Sequence, residues 1–254
     1  MAHNDHSLEE LISCRDHYES LGLAFNGTFP LPGDKAQYPR DRVVGIKHVR
    51  LDITLDLDAK RVSGRVSHTF TPLNDDFTSF DLDAVELTII DVRLANGVSL
   101  RHSHSSGRLH IELDAPRHSG EEVTVTVDFA GSPRRGMYFI GPEEAYPHKR
   151  LEAWTQGEDE DSRHWFPCYD YPNEMATSEM HVTVREPFTV VAIGELQGIE
   201  PGPQPGTRTF HWRQAVPHVT YLTSVCAGEF SELRDEWDGI PILYYVPVAA
   251  PQPQ

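Results

Sequence analysis

The sequence predicts an all-β, mainly antiparallel protein: a large curved, saddle-like β-sandwich preceded by a short amino-terminal helix. From Val44 onward, apolar and polar residues alternate with a period of two over most of the chain, which is the pattern of half-buried strands. Turn residues such as Asn96-Gly97 and Ser119-Gly120 separate these runs at short intervals. No strand–helix–strand alternation is visible, so a parallel α/β core is disfavoured.

The first forty residues have a different character, and we expect residues 1–40 to form a helix and an extended arm. The segment S-L-E-E from Ser7 matches a capping box, and apolar residues follow at helical spacing. This pattern predicts an amphipathic helix from about Leu8 to Glu19. Gly22 to Arg40 then contains three prolines and three glycines with little periodicity, which is typical of an extended arm.

Residues 41–247 are expected to form the β-domain. Val49 to Leu57 place five apolar side chains on one face of a strand, and Asp58–Arg61 forms the reversal to a partner strand over Val62–Phe70. Gly198–Gly206, with its three prolines, is interpreted as a loop. Further strands are predicted at Leu82–Leu94, Leu109–Leu113, Val123–Phe129, Met180–Val184, Phe188–Ile193, Thr209–Arg213, His218–Ala227 and Ile242–Val246.

Composition excludes several classes of function. Asp and Glu outnumber Lys and Arg by 39 to 22, and a formal net charge of −17 repels phosphate backbones, so we expect no nucleic-acid partner. No apolar run approaches the roughly 20 residues that cross a bilayer, so we expect no membrane partner. The first ten residues lack the basic and apolar regions of a secretory signal, and three widely spaced cysteines offer no disulfide framework. Both observations favour a cytoplasmic protein.

The common hydrolytic and nucleotide-binding motifs are absent. No histidine is followed by glutamate, so there is no H-E-x-x-H zinc motif, and G-x-S-x-G and the phosphate-binding glycine loops are also missing. His102 and His104 are interpreted as part of a solvated polar loop, and no metal is expected on this chain. Cys168, which follows Phe166-Pro167, is interpreted as a small buried hydrophobe rather than a reactive thiolate.

One segment, from Ile140 to Ser178, breaks the alternation and is rich in aromatic and acidic residues. It contains W-T-Q-G-E, beginning at Trp154, and R-H-W-F-P-C-Y-D-Y-P, beginning at Arg163. This order resembles the hallmark of the amino-terminal domain in the aminopeptidase N and leukotriene-A hydrolase family of zinc metallopeptidases. In that family T-Q-x-E or T-Q-x-Q precedes R-x-x-F-P-C-x-D-x-P.

Other segments resemble the same family in the same order. Arg135 begins R-G-M-Y-F, which is similar to the family's R-G-x-Y, and Tyr221 begins a segment similar to Y-L-x-S/A-x-x-x-G-x-F. Val190 begins V-V-A-I-G-E-L, which departs from V-x-S-N-G-E-L at two positions. The resemblance covers about Ile46 to Val246.

The resemblance implies half of an active site. The β-domain of the family packs on a thermolysin-like catalytic domain that supplies H-E-x-x-H and the zinc, so residues 248–254 would begin the linker and this chain alone would be inactive. Glu158 matches the glutamate that binds the free α-ammonium of a peptide substrate, where a blocked terminus would leave a buried charge unpaired. Gln156 matches a neighbour that lines the first specificity pocket. Arg163 and Asp170 are expected to brace the loop as a bidentate pair.

Two alternatives stay open at this point. The first is a non-catalytic protein-interaction or scaffold module derived from this peptidase family, as in transcription-factor subunits that resemble these peptidases but have lost zinc. The second is a free-standing β-sandwich that binds carbohydrate through Trp154, Trp165 and Tyr169, which requires those rings to line an exposed groove.

Overall fold

A computed structural model of the chain describes residues 39–248. Within this range the chain forms sixteen strands and two short 3-10 turns, Ser162–His164 and Thr220–Leu222. The strands are β1 (Val44–Asp56), β2 (Arg61–Pro72), β3 (Phe77–Asp83), β4 (Thr88–Leu94), β5 (Arg101–Ser105), β6 (Arg108–Arg117), β7 (Val123–Gly131), β8 (Met137–Ile140), β9 (Glu152–Thr155), β10 (Ala176–Arg185), β11 (Thr189–Ala192), β12 (Glu195–Pro201), β13 (Thr207–His218), β14 (Val225–Gly228), β15 (Phe230–Trp237) and β16 (Ile240–Pro247). The predicted helix Leu8–Glu19 lies outside the described residues. In residues 39–248 no helix is long and apolar enough to cross a membrane.

The strands form one large sheet and three smaller ones. The large sheet has the order β12-β13-β10-β1-β2-β7-β4, and the others are β11-β14-β9-β8, β3-β6-β5 and the hairpin β15-β16. β1 pairs in parallel with β10, whereas every other strand pairing between residues 39 and 248 is antiparallel. The predicted all-β, mainly antiparallel fold is therefore confirmed. The predicted boundaries at residues 40 and 247 stay predictions.

The core is built from the alternation read in the sequence. Leu51, Ile53 and Leu55 of β1, with Leu57 just beyond it, are buried, while the residues between them turn toward the other face. Phe70 of β2 contacts Phe80 of β3 with ring centroids 4.8 Å apart, which joins the large sheet to the three-stranded sheet. Tight packing of this kind between two sheets buries apolar area that stabilises the fold at about 25 cal/mol per Å².

Two predicted strands are wrong because each one is divided between two sheets. The run Leu82–Leu94 is split at Ala84–Leu87, where Glu86 adopts a left-handed φ of 56° and the chain passes from the three-stranded to the seven-stranded sheet. The run His218–Ala227 is split by the 3-10 turn at Thr220–Leu222, which separates β13 from β14 in the four-stranded sheet. Apolar residues continue through both crossings, so periodicity does not mark them.

Two segments interpreted as loops are exposed edge strands. His102 and His104 belong to β5, whose five residues are all exposed at the edge of the three-stranded sheet. The first part of the predicted loop Gly198–Gly206 belongs to β12, which forms an edge of the large sheet and ends at Pro201. Edge strands tolerate proline and need no apolar face, so their sequences look like loops.

Candidate functional site

The predicted recognition loop, Gln156–Asp170, follows directly from β9. The backbone N–H of Gln156 donates to the carbonyl of Gly136 at 2.9 Å, which ties the start of the loop to the segment before β8. The N–H of Asp161 donates to the carbonyl of Gly157 at 2.9 Å and closes the first turn. The 3-10 turn Ser162–His164 then carries the chain into the interior.

Two glycines allow this loop to approach its neighbours closely. Gly136 has a φ of 72°, and a Cβ atom there would lie 1.9 Å from the carbonyl oxygen of Asp161. A Cβ atom on Gly157 would lie 2.6 Å from the carbonyl oxygen of Tyr221. No side chain fits at either position without moving backbone, so the loop is held between the β8 segment and the turn at residues 220–222.

Arg163 and Asp170 join the two ends of the loop's second half. The Asp170 Oδ2 atom accepts hydrogen bonds from the backbone N–H of Arg163 at 3.0 Å and from its Nε at 3.1 Å, and Arg163 Nη2 donates to the Asp170 carbonyl at 3.0 Å. Arg163 Nη2 also donates to Glu160 at 2.8 Å. The contact differs from a fork-to-fork pair, since one carboxylate oxygen takes both bonds and Oδ1 is buried without a partner among the described residues.

Sequence reasoning missed two further members of this cluster, Asp83 and Arg40. Asp83, at the end of β3, is 3% exposed and accepts a 2.7 Å bond from Arg40 Nη2 and a 3.2 Å bond from the N–H of Asp170. The backbones of Asp83 and Cys168 also exchange two hydrogen bonds. Asp83 looks like any polar residue of an alternating strand, and its partner lies 87 positions away, so no local signal identifies it.

Burial and nearby charges shift the pKa values of two groups in this cluster, Arg163 and Asp170. Burial by itself lowers the pKa of Arg163, but the charges of Asp83 and Asp170 outweigh it, so the pKa of the guanidinium lies above its ordinary value. Burial raises the pKa of Asp170 to about 6, against the opposing effect of the hydrogen bonds from Arg163. Burial dominates at Asp170 because its Oδ1 atom has neither solvent nor a partner to stabilise the charge.

The aromatic part of the segment is packed inside. Trp165 is fully buried against Phe166 with ring centroids 4.4 Å apart, and Tyr169 is buried as well. The carbohydrate-binding alternative is therefore wrong, because Trp165 is fully buried and cannot line an exposed groove together with the other two rings. Cys168 is buried and burial raises the pKa of its thiol, which confirms the interpretation of this cysteine as a small hydrophobe.

Gln156 and Glu158 both lie on the exposed side of the loop. Neither side chain makes a hydrogen bond or an ion pair within residues 39–248. The buried setting expected for an ammonium-binding carboxylate is not formed around Glu158 by these residues alone. Two positions before Gln156, Trp154 is 38% exposed and stacks on Tyr138 with centroids 4.6 Å apart. The exposed end of the loop thus displays an unpaired carboxylate and amide, and its base is fixed by the Arg163–Asp170 cluster.

The catalytic zinc of the family has no matching ligand set here. Residues 1–254 contain no H-E-x-x-H. Between residues 39 and 248, the group of potential ligands that converges is Glu179, His181 and His211, which lies on strands outside the recognition loop. The residues present do not fit a zinc held by two histidines of one helix, and no catalytic step follows from them.

Comparison with known proteins gives a consistent family. Residues 45–222 match the Peptidase M1 N-terminal domain. Leukotriene A-4 hydrolase of Xenopus laevis is 24% identical over 203 residues, which cover 77% of this chain and 33% of that protein. Leucine aminopeptidase 2 of Aspergillus oryzae is 26% identical over 194 residues, which cover 73% of this chain and 31% of that protein. The chain thus spans about a third of the length of these relatives.

A solved structure shows the same fold. The M1 zinc metallopeptidase from Deinococcus radiodurans superposes with a TM-score of 0.64 at 22% identity, over 77% of this chain and 44% of that one. At this level of identity the likeness establishes the arrangement of strands, and the site residues depend on the loop geometry described above.

Proposed function

The chain belongs to the Peptidase M1 N-terminal domain family, and on that premise we propose that it is the substrate-gating domain of a zinc aminopeptidase, which binds the free amino terminus of a peptide. Its partners in this function are the peptide substrate and a thermolysin-like catalytic domain. The zinc of the complete enzyme would polarise the scissile carbonyl and activate a water molecule. The chain by itself is expected to show no turnover. The expected cytoplasmic location stays a prediction.

One observation supports this proposal above the others: Glu158 is an unpaired carboxylate on a fixed loop. Arg163 and Asp170 hold the inner half of the loop, and Gly136 and Gly157 hold its start, so the chain leaves Glu158 free while fixing the backbone that carries it. The ammonium group of a substrate can form an ion pair with Glu158 without breaking an existing contact of this carboxylate. Docking of a second domain over the loop would exclude water and strengthen the pair.

The first experiment tests binding by this chain. Backbone amide chemical shifts are followed by NMR while a tripeptide with a free amino terminus, or its N-acetylated form, is added. We expect shifts in residues 154–161 with the free peptide and binding of the acetylated one that is weaker by up to roughly fivefold, because an exposed ion pair is worth up to about 1 kcal/mol. Equal binding of the two peptides would refute recognition of the ammonium group.

Glu158→Gln supplies the matched variant, with Asp159→Asn as its control. Both residues are exposed, and neither side chain makes a hydrogen bond or an ion pair in the described part of the chain, so each change removes one negative charge from the same turn. Only Glu158→Gln should abolish the preference for the free terminus. A similar loss in Asp159→Asn would assign the preference to the general acidity of the loop.

The second experiment measures hydrolysis in a zinc enzyme that includes this domain. Glu158→Gln should lower kcat/KM for aminoacyl-amide substrates by a factor of roughly ten to a thousand, the range for one charged contact. Asp159→Asn should stay within about threefold of the unaltered enzyme. An unchanged kcat/KM in Glu158→Gln would show that this residue does not belong to the site. Turnover by the isolated chain with zinc would contradict the proposal that hydrolysis requires a separate catalytic domain.

A non-catalytic interaction module is the second candidate, and the hairpin β15-β16 favours it. Trp237, Ile240 and Tyr244 are exposed on this hairpin, and exposed apolar groups of this size mark contact surfaces. The same surface also suits a catalytic domain in the first proposal. The open reading frame downstream of this domain distinguishes the two, because H-E-x-x-H there supports the aminopeptidase and its absence supports the interaction module.

A further inference from the structure

Three potential metal ligands meet on the outer face of the seven-stranded sheet. Glu179 and His181 are two positions apart on β10, so their side chains leave the same face. His211 of β13 is the direct cross-strand neighbour of His181. The residues on either side of His181, Met180 and Val182, point into the core and fix the register of this face.

The donor atoms of these side chains already converge. One ligand atom from each residue lies within 4.8 Å of the other two. The imidazole rings of His181 and His211 stack with centroids 4.0 Å apart and planes inclined by 18°, and Glu179 Oε2 lies 3.5 Å from His211 Nε2. Zinc–nitrogen bonds of about 2.1 Å require the donors to close by roughly 1 Å, so binding requires rotation of these side chains.

Two atoms of the cluster lack partners. The Nε2 atoms of His181 and His211 are both shielded from solvent, and neither has a hydrogen-bond partner within residues 39–248. Buried polar atoms are nearly always bonded, and an unmet one calls for a water molecule or an ion. Here His211 Nε2 lies 3.5 Å from Glu179 Oε2, and a ligand atom of His181 lies within 4.8 Å of those of the other two residues.

The surrounding charges permit a cation. Arg50 is paired with Asp52 at 2.8 Å and with Glu179 at 3.1 Å. Arg213 is the direct cross-strand neighbour of Glu179, so the two carboxylates balance the two guanidinium groups and no net positive charge repels an ion. His48 Nε2 lies 3.9 Å from Glu179, on the side away from His211's strand.

The geometry points to a binding site for a divalent transition-metal ion of the zinc class, held by Glu179, His181 and His211. Two imidazole nitrogens and one carboxylate oxygen match the donors that zinc accepts in sites with three protein ligands. Of the three ligands, His181 also lines a groove of about 850 Å³, together with Arg50 and Asp52. The bound ion would join β10 to β13 through side chains as well as through the backbone.

Titration calorimetry with Zn²⁺ tests this site on the full chain. The background carries His3→Asn and His6→Asn, because two histidines close in sequence can themselves bind zinc. We expect one equivalent of Zn²⁺ to bind, with affinity at least about tenfold lower in His181→Asn and in His211→Asn, since even outer contacts of metal sites cost that much. Glu179→Gln should also weaken binding. No saturable binding, or equal binding in all variants, would overturn the proposal.

His102→Asn/His104→Asn is the matched control. These histidines are also two positions apart on one strand, but their ring nitrogens bond to backbone carbonyls of Leu100 and Ala84. The control should bind Zn²⁺ like the background protein, and loss of binding there would place the metal elsewhere.

A measurement on the unsubstituted rings covers the case in which a variant fails to fold. Long-range nitrogen NMR of the histidine rings should show Zn²⁺-dependent shifts of the Nε2 atoms of His181 and His211. Shifts confined to other histidines would refute the site. The outcome does not depend on peptide binding at Glu158, so either proposal can fail alone.

Discussion

Replacing Asp170 by asparagine should change how the stability of this domain depends on pH. Asp170 is 1% exposed, and its Oδ1 atom has no partner in the described residues. Asparagine has the same shape and keeps an oxygen that can accept the bonds from Arg163, but it does not titrate. The comparison therefore isolates the proton of one buried carboxyl group, because other titrating groups contribute equally to both proteins.

The magnitude follows from the two pKa values of this carboxyl group. Its pKa is 3.8 as an ordinary aspartate and about 6 in the folded chain. A raised folded-state pKa contributes stability that is complete below the unfolded pKa and is lost as pH rises through the folded value. The full effect is roughly 3 kcal/mol at about 1.4 kcal/mol per pKa unit. Roughly 2 kcal/mol of it falls between about pH 4.5 and about pH 7.5.

Urea unfolding followed by tryptophan fluorescence gives the free energy of unfolding of each protein at these two pH values. The advantage of the unaltered chain over Asp170→Asn should shrink by roughly 2 kcal/mol from the lower to the higher pH. In Asp159→Asn, which removes an exposed and unpaired carboxylate, the difference should stay within about 0.5 kcal/mol. A difference for Asp170→Asn that is constant, or that grows with pH, would refute the assignment of burial as the dominant influence.

Two further predictions concern the same domain. Gly136→Ala should lower the free energy of unfolding by about 2–4 kcal/mol, since a left-handed φ and a backbone clash act together, whereas Gly97→Ala, with a φ of 87° and open space around it, should cost about 1 kcal/mol; equal costs in urea unfolding would contradict the close approach. Burial lowers the pKa of His68 to about 4, so this residue contributes stability above pH 6.5 that is lost as pH falls toward 4, up to roughly 3 kcal/mol. In His68→Gln the free energy of unfolding should fall less between about pH 6.5 and about pH 4. An unchanged fall over this range would show that His68 is not its cause.

The strands of this domain could be predicted where burial on one face imposes alternation. β1 and β2 follow that rule through residues such as Leu51 and Val66, and their hairpin is as expected. The crossings between sheets could not be predicted, because apolar residues recur through Leu82–Leu94 without a break where the chain changes sheet. The edge strands β5 and β12 have no buried face, so they carry no periodic signal.

Some features of the candidate site could likewise be predicted from the sequence, and others could not. The order of residues from Gln156 to Asp170 indicated a recognition loop, and Arg163 and Asp170 are in contact. The role of Asp83 depends on a contact 87 positions away, which no local pattern reveals. Composition predicts an exposed acidic turn at Glu158, whereas the buried setting that the resemblance implies depends on whatever docks against the loop.

The parallel pairing of β1 with β10 has a consequence for synthesis of the chain. Arg50 and Glu179 face each other across this pairing although 129 positions separate them. After β1 and β2 have been synthesised, more than a hundred further residues must be added before β10 can pair with the other edge of β1. Until then that edge offers unpaired backbone groups to any extended chain nearby. Nascent chains that stop before Ala176 should therefore depend most on chaperones, and those that extend past Arg185 should be released from that dependence.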